Sequence, residues 1–591
     1  MNINFTKQDI FNISLILLII FILYKNVLTF GYVWDDLILF VQDSNLREGN
    51  WSWDKVSKPV LEGTYYFRPL VMSSFFLEFS ITGANSKTSH LINYLIFSLN
   101  AILIYIFSNL LLLKIIKNVK FFSLLSTIIY IIHPIQIETV AWVAGRFDLL
   151  ATTFSLITLI FFIYIKNINL RIFLCSIFWF LGMLCKEWVI LIPLLIIIIN
   201  YTIHQESLLH FLKNNKLTIL FASVVLILYL ILRVNALGAT YIEESEQFLN
   251  FSILDRIQFS LLTFSKYLEL IYTPFFDIGG IYYFDFKNIY NLKNILSISY
   301  ALLFILVILV SSVYKKREAL LVLCGIISLI FVLQIFNLMF SAGSIASDRF
   351  LTFPLIFFIL PLMVFIAKKK QKIYFIVLLT WSLGAISTVY STLPFWKDNY
   401  SLWYWQYQKN PKSSTAEYSY LGELYAKNEI HTIGLILEDK KEKEAHLNSY
   451  MQLYYANYLL YNNNINSIKY LDGIIITSEF SKDLPYLQRV TLANAYLSRG
   501  IAYLKINKDF IKADQDFNKG LDLEPNNINL LISKSLTSHY LKKEVDRINY
   551  YTRAINLTHK EYRFSLESNY YLKMQEICKL SSHRNYQFCK K

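Results

Sequence analysis

The sequence predicts an all-α protein: a polytopic membrane helical bundle of about eleven spans over residues 1–395, followed by a soluble helical solenoid over residues 396–591. Three observations carry this expectation. The 591-residue chain is 55% hydrophobic and only 17% charged, with a mean hydropathy of +0.42, whereas soluble domains carry roughly 25% charged residues. Its apolar residues gather in runs of the length that crosses a bilayer. At about residue 395 the runs stop, and apolar residues recur at helical spacing among charged ones. Glycine (17) and proline (11) are too scarce for collagenous, linker-rich or disordered classes. The abundance of Ile, Leu, Phe, Tyr, Asn and Lys is that of an AT-rich genome, read here as bacterial.

The first run, 10–24, follows Lys7 and precedes no small-residue cleavage site, so it is expected to be an uncleaved signal anchor with its N-terminus inside. Further spans are expected at 91–113, 121–132, 149–165, 172–184, 188–201, 217–232, 295–313, 320–340, 350–367 and 373–390. The net charge of +14 would suit a nucleic-acid partner, but its dense clusters sit on separate short connectors: Lys114, Lys117 and Lys120; Lys166 and Arg171; Lys213 and Lys216; Lys315, Lys316 and Arg317; Lys368, Lys369, Lys370 and Lys372. That is the positive-inside pattern of cytoplasmic loops, with no nucleic-acid stripe. Segment 257–276, interrupted by Lys266 and Glu269, is expected to be an interfacial helix. Every basic cluster then falls inside, and 30–89, 235–293 and everything after 396 fall outside.

Within the polar third, Leu421, Gly422 and Tyr425, then Gly500, Tyr503, Ala513, Phe517, Gly520 and Pro525, then Tyr551 and Ala554 follow the tetratricopeptide pattern. Tyr425, Tyr503 and Tyr540 are its expected anchors, with a degenerate copy near Ala456. Small residues there let paired helices approach, and aromatics fill the gap between repeats. The five cysteines form no disulfide scaffold: Cys175, Cys185 and Cys324 read as packing residues. Cys578 and Cys589, in the exported part, are expected to pair, with two unpaired thiols as the alternative.

Ionisable residues that are not loop lysines need a reason to lie in so apolar a chain, and here they gather at the outer ends of the spans. Asp35 and Asp36 follow the first span in the run VWDD. Arg68 stands in YFRPL, and His90 and Asn93 share one helix face in HLIN. His133, Glu138, Arg146 and Asp148 lie in HPIQIETVAWVAGRFDLLA, Lys186 and Glu187 in LCKE, and Asp348 and Arg349 in SDRF. A solvated loop and a purely structural ion-pair network are the bland alternatives.

Taken together, these motifs and the C-terminal repeats resemble the membrane glycosyltransferases of the GT-C superfamily, and within it the transmembrane, repeat-bearing O-mannosyltransferase-like proteins and their bacterial counterparts. The resemblance covers nearly the whole chain. It departs at Phe97, where many relatives carry a second histidine. It implies a polyprenyl-phosphate-linked sugar as donor, used on the exoplasmic side, and an acidic pair in the first outer loop. Such chemistry needs a carboxylate to take the acceptor's proton and cations to steady the departing phosphate. Asp35 is the expected general base, with Asp36 orienting the acceptor or sharing that role. Arg146, Lys186 and Arg349 are the expected donor phosphate clamps. Glu138 and Asp148 are expected to hold those cations, with Arg68, Asn93, Glu187 and Asp348 in support. His90 and His133 either bond substrate or are satisfied structural histidines. No spacing marks a metal-ligand set, although a divalent cation is compatible with so many acids.

The expected function is therefore transfer of a sugar to hydroxyl groups, Ser or Thr, of an exported protein at the outer face of a bacterial inner membrane, the repeat domain on the periplasmic side binding acceptor or partner. Membrane lipid is the surrounding partner. The rivals are a transferase for lipid or polysaccharide, an oligosaccharyltransferase using a pyrophosphate carrier, and a non-enzymatic repeat scaffold for envelope assembly.

Overall fold

Thr6 accepts the Asp9 N–H while the Asp9 carboxylate accepts the Thr6 N–H at 2.8 Å, a reciprocal cap that opens the helix Lys7–Tyr24. Asp9 also pairs with Lys120 at 2.6 Å and accepts the Tyr105 hydroxyl at 2.8 Å. One carboxylate thus joins the helices Lys7–Tyr24, Ser86–Leu112 and Val119–Ile132. The structure, a computed structural model, describes residues 6–570 other than 48, 61–65, 206–207, 238–251, 276–277, 283, 285–290, 334–345, 370, 445–446, 480–485 and 558–569. The described residues are helical and hold no strand. They divide into two compact units, Met1–Ala416 and Glu417–Lys591.

Among the described residues seven helical stretches are long and apolar enough to cross a membrane: Lys7–Thr29, Ser86–Leu112, Val143–Tyr164, Glu187–His204, Lys216–Leu237, Leu292–Val313 and Lys372–Lys397. Val119–Ile132 and Ile168–Met183 are shorter apolar helices where spans are expected, and Pro69–Thr82 is a third, inside the expected first outer loop. The expected span 320–340 starts as the helix Arg317–Ser328, and its last residues lie outside the described ones. The expected interfacial helix is Ile253–Tyr272, on which Lys266 and Glu269 pair at 3.2 Å.

The two ends of this unit differ in chemistry. At one end, Lys120 holds Asp9, Arg317 Nη1 donates to the Lys114 carbonyl at 2.9 Å, and Lys368 pairs with Glu318 at 2.5 Å. Contacts thus gather the basic connectors at 114–120, 315–317 and 368–372. At the other end the first and last long apolar helices meet: the Gly31 N–H donates to the Lys397 carbonyl at 2.9 Å, and the Tyr390 hydroxyl donates to the Ile22 carbonyl at 3.5 Å. Both helices therefore run towards this end. The unit continues past the composition change at 395, because the helix Asn399–Lys409 buries Leu402, Trp403 and Trp405. At its end, Lys409 Nζ donates to the Ile278 carbonyl at 2.8 Å and Asn410 to that of Ile281 at 3.1 Å.

In the second unit the helices Ile430–Glu444, Ser449–Tyr461, Asn466–Glu479, Tyr486–Ala502, Phe510–Leu523, Ile528–Tyr540 and Glu544–Leu557 pack each on the next. A Cβ on Gly500 would stand 2.5 Å from the Phe517 ring, so glycine is what lets these two helices approach. Tyr540 stacks on Phe510 at 4.5 Å, whereas Tyr425, 46% exposed, meets the Tyr454 ring at 6.0 Å. Cys578 and Cys589 lie outside the described residues.

Candidate active site

The two adjacent acids part company. Trp34 has a φ of +56°, a left-handed conformation that costs a bulky residue about 1–2 kcal/mol. Its N–H donates to Asn399 Oδ1 at 2.8 Å, and its ring stacks on Trp142 at 5.1 Å. Past this turn Asp36 goes inward and is fully buried. It accepts the N–H groups of Val33 at 3.2 Å, Val143 at 3.3 Å and Ala144 at 2.9 Å. Asp35 is half-buried, and among the described residues no donor reaches its carboxylate. Burial pushes the Asp35 carboxyl up to about 6, against the opposing pull of Arg349. Asp36, expected to orient the acceptor or share the base role, accepts three backbone donors and has no exposed surface.

Two of those donors, Val143 and Ala144, belong to the turn between Gln136–Ala141 and Arg146–Tyr164. A Cβ on Gly145 would lie 2.4 Å from the Thr139 carbonyl oxygen, so the turn closes only with glycine there. Asn93 of the HLIN run donates to the Trp142 and Val143 carbonyls at 3.3 and 2.8 Å and accepts from Arg146 Nε at 2.8 Å. Arg146 is itself wholly buried: it pairs with Glu78 at 2.6 Å, donates to the Ser89 carbonyl and lies 3.9 Å over the Phe75 ring. Arg146, the expected donor phosphate clamp, thus has all its contacts within the wall. With no exposed surface it serves the chain Glu78, Arg146, Asn93, turn, Asp36, which fixes the acidic loop.

Arg349 and Arg68 are cations that keep an open edge, and Lys186, buried, lies beside them. Arg349 binds Glu138 twice, through Nη1 and through its own N–H at 2.9 Å, and lies 4.8 Å over Trp142 and 5.4 Å over Trp34. Its side chain is 13% exposed, and its remaining guanidinium donors have no acceptor among the described residues. Lys186 pairs with Asp148 at 2.5 Å and sits 5.1 Å over Phe350; burial pushes its ammonium down to about 8. Arg68 forks onto Glu187 at 3.1 and 3.3 Å and is 12% exposed. Arg349 is within electrostatic reach of Asp35, Asp148 and Lys186, and Lys186 of Arg68. Glu138 pairs with Arg349 and Asp148 with Lys186.

The remaining site residues are tied into the walls. His133 Nε2 meets the Ile271 carbonyl at 3.0 Å, and burial lowers its basicity to about 4, so the ring is neutral. His90 Nε2 meets the Gly31 carbonyl at 3.2 Å. Asp348 is buried and accepts the Tyr282 hydroxyl. Phe97, where a second histidine would stand in many relatives, fills space between Tyr24 and Tyr130. Among the described residues no cluster of three or more His, Cys, Asp or Glu side chains forms a metal-binding group. Sequence reasoning missed Glu78 and Asn399. Glu78 carried a signal, a lone acid in the apolar run FFLEFS; Asn399 carried none.

Over 354 residues, 57% of this chain and 48% of the relative, the sequence is 24% identical to protein O-mannosyl-transferase F38B6.6 of Caenorhabditis elegans. Over 169 residues it is 29% identical to protein O-mannosyl-transferase TMTC2 of Homo sapiens and of Mus musculus, covering 27% of this chain and 19% of each relative. The chain spans about half the length of the first relative and about a fifth of the other two. No protein-family model matches the chain, and no solved structure matches it.

Proposed function

We propose that this protein is a membrane glycosyltransferase that moves a sugar, mannose as the names of its relatives suggest, from a polyprenyl phosphate to Ser or Thr hydroxyls of an exported protein. One observation carries the reading: of two adjacent acids, Asp36 is consumed by backbone donors while Asp35 stands without one beside Arg349. A half-buried carboxylate near a cation with spare donors is what a hydroxyl acceptor and a phosphate leaving group require together.

The step is a displacement at the sugar's C1. The acceptor oxygen bonds to C1 and gives its proton to Asp35, while the bond from C1 to the phosphate oxygen breaks and both its electrons leave with polyprenyl phosphate. Arg349, Lys186 and Arg68 stabilise that phosphate: the guanidiniums offer paired donors and the ammonium a point charge. Glu138, Asp148 and Glu187 hold the three cations in place. The stacked Trp34 and Trp142 rings wall the site beside Arg349. The reaction faces the exoplasmic side of the membrane, and the helical array of the second unit is a tetratricopeptide-like solenoid that binds acceptor.

The test is purified full-length protein in liposomes with a polyprenyl-phosphate mannose and a Ser/Thr-rich peptide. Addition of one hexose to the peptide is expected. Hexose on lipid or glycan alone, or transfer of a whole oligosaccharide from a pyrophosphate carrier, would overturn the assignment.

A further inference from the structure

Trp34 is the one residue between the extended segment 30–33 and the two acids, and its left-handed φ decides where both of them go. With that turn, Asp36 reaches the N–H groups of Val143 and Ala144 while Asp35 leaves on the side of Arg349. An indole-bearing residue does not hold a positive φ by itself. What holds it comes from 365 residues further along the chain. Asn399 Oδ1 accepts the Trp34 N–H at 2.8 Å and the Trp403 Nε1–H at 3.1 Å, and the Trp403 ring meets Trp34 edge-on at 5.5 Å. Asn399 in turn stands at the start of Asn399–Lys409, whose preceding residue Asp398 caps it by accepting the Ser401 N–H at 2.8 Å.

We infer that Asn399 is a positioning residue for Asp35: by accepting the Trp34 N–H it locks the left-handed turn that separates the two acids, so the segment after the last long apolar helix completes the active site. This inference rests on Asp35 being the base. Without the acceptor, the part-buried Trp34 N–H loses its partner, the turn relaxes towards negative φ, and Asp35 swings from its pocket into water. Arg349, Asp36 and the Tyr66 phenol are the charged and titratable groups that face Asp35 there.

Two measurements on full-length protein in liposomes test it. A hydrophobic carbodiimide reacts with protonated carboxyls, so labelling of Asp35 followed against pH by peptide mass mapping reads its titration without turnover. The native midpoint is expected at about 6, in line with its burial; Asn399→Ala should move it towards the ordinary carboxylate value of about 4. The same variant should lower kcat for mannosyl transfer roughly 10- to 100-fold, with the donor KM within about twofold. Asn399→Asp keeps the acceptor oxygen and should restore both, its midpoint at or above the native one. If Asn399→Ala does not reach the membrane, Asn399→Ser, whose hydroxyl reaches less far, should give an intermediate midpoint. A native midpoint and native kcat in Asn399→Ala overturn the inference, as does an equal loss in Asn399→Asp. An inactive wild type overturns the transferase reading alone, because the labelling midpoint still decides the positioning role.

Discussion

At the scale of residues, the contrast between Asp35 and Asp36 makes opposite predictions for the same substitution. Asp35→Asn should cut transfer by about 100- to 10,000-fold with the protein still reaching the membrane. Its folded carboxyl is raised from 3.8 to about 6, so it binds a proton more tightly folded than unfolded. Its contribution to stability is full below about 4 and is lost as pH rises through about 6. At pH 7.5 the ionised group is therefore a burden, and Asp35→Asn should raise the melting temperature there, with the difference vanishing below pH 4. Asp36→Asn places an amide donor against three N–H groups and should lower the yield of folded protein. Equal melting temperatures for the two variants at pH 7.5 would contradict this division. For the wild type, the base must be ionised and Lys186, lowered to about 8, must be charged. The pH profile of kcat/KM should thus fall below about 6 and above about 8, and Lys186→Arg should abolish the alkaline limb alone.

At the scale of elements, the turn after Gln136–Ala141 and the helix Pro69–Thr82 act as one support. Gly145→Ala drives a Cβ into the Thr139 carbonyl oxygen and should cost on the order of 2 kcal/mol, since backbone cannot move aside as a flexible side chain can. Arg146→Ala leaves Glu78 buried and unpaired, at an expected cost of about 3–5 kcal/mol. Converting both to apolar residues, Glu78→Leu with Arg146→Met, should recover most of the folded yield measured by detergent-solubilised melting. An Arg146→Ala protein with native melting and a raised donor KM would instead return Arg146 to the phosphate site. This is also where reading the sequence reached its limit. The motifs carrying Asp35, Glu138, Asp148, Lys186 and Arg349 could be seen to belong together, because ionisable residues at span ends are costly unless they meet. Which partner each would take could not be seen. Arg146 and Arg349 both stand before a phenylalanine and pair with a buried glutamate, and only the exposure of the guanidiniums themselves, 0% against 13%, separates the wall residue from the one with an open edge. Asn399 lies in a polar segment, where an asparagine is ordinary and carries no signal.

At the scale of the whole molecule, the direction of the first and last long apolar helices decides topology. Lys7–Tyr24 starts beside Lys120, at the end that gathers the basic connectors, and such connectors stay in the cytoplasm. It ends beside the last helix, as Tyr390 on Ile22 and Lys397 on Gly31 show. Two helices running the same way enclose an odd number of crossings between them, so the total is odd whichever short helices span. The chain after Lys397 therefore leaves on the face of Asp35 and Arg349, which on the proposed function is the side where an exported acceptor and a flipped polyprenyl donor are met. Alkaline phosphatase, which folds only after export, should be active when fused after Lys505, and a fluorescent protein that matures in the cytosol should be dark there. Fusions after Lys316 should give the reverse. An inactive phosphatase at 505 paired with a bright cytosolic reporter would invert the bundle, and would move the acidic pair and its cations to a face where no exported hydroxyl could reach them.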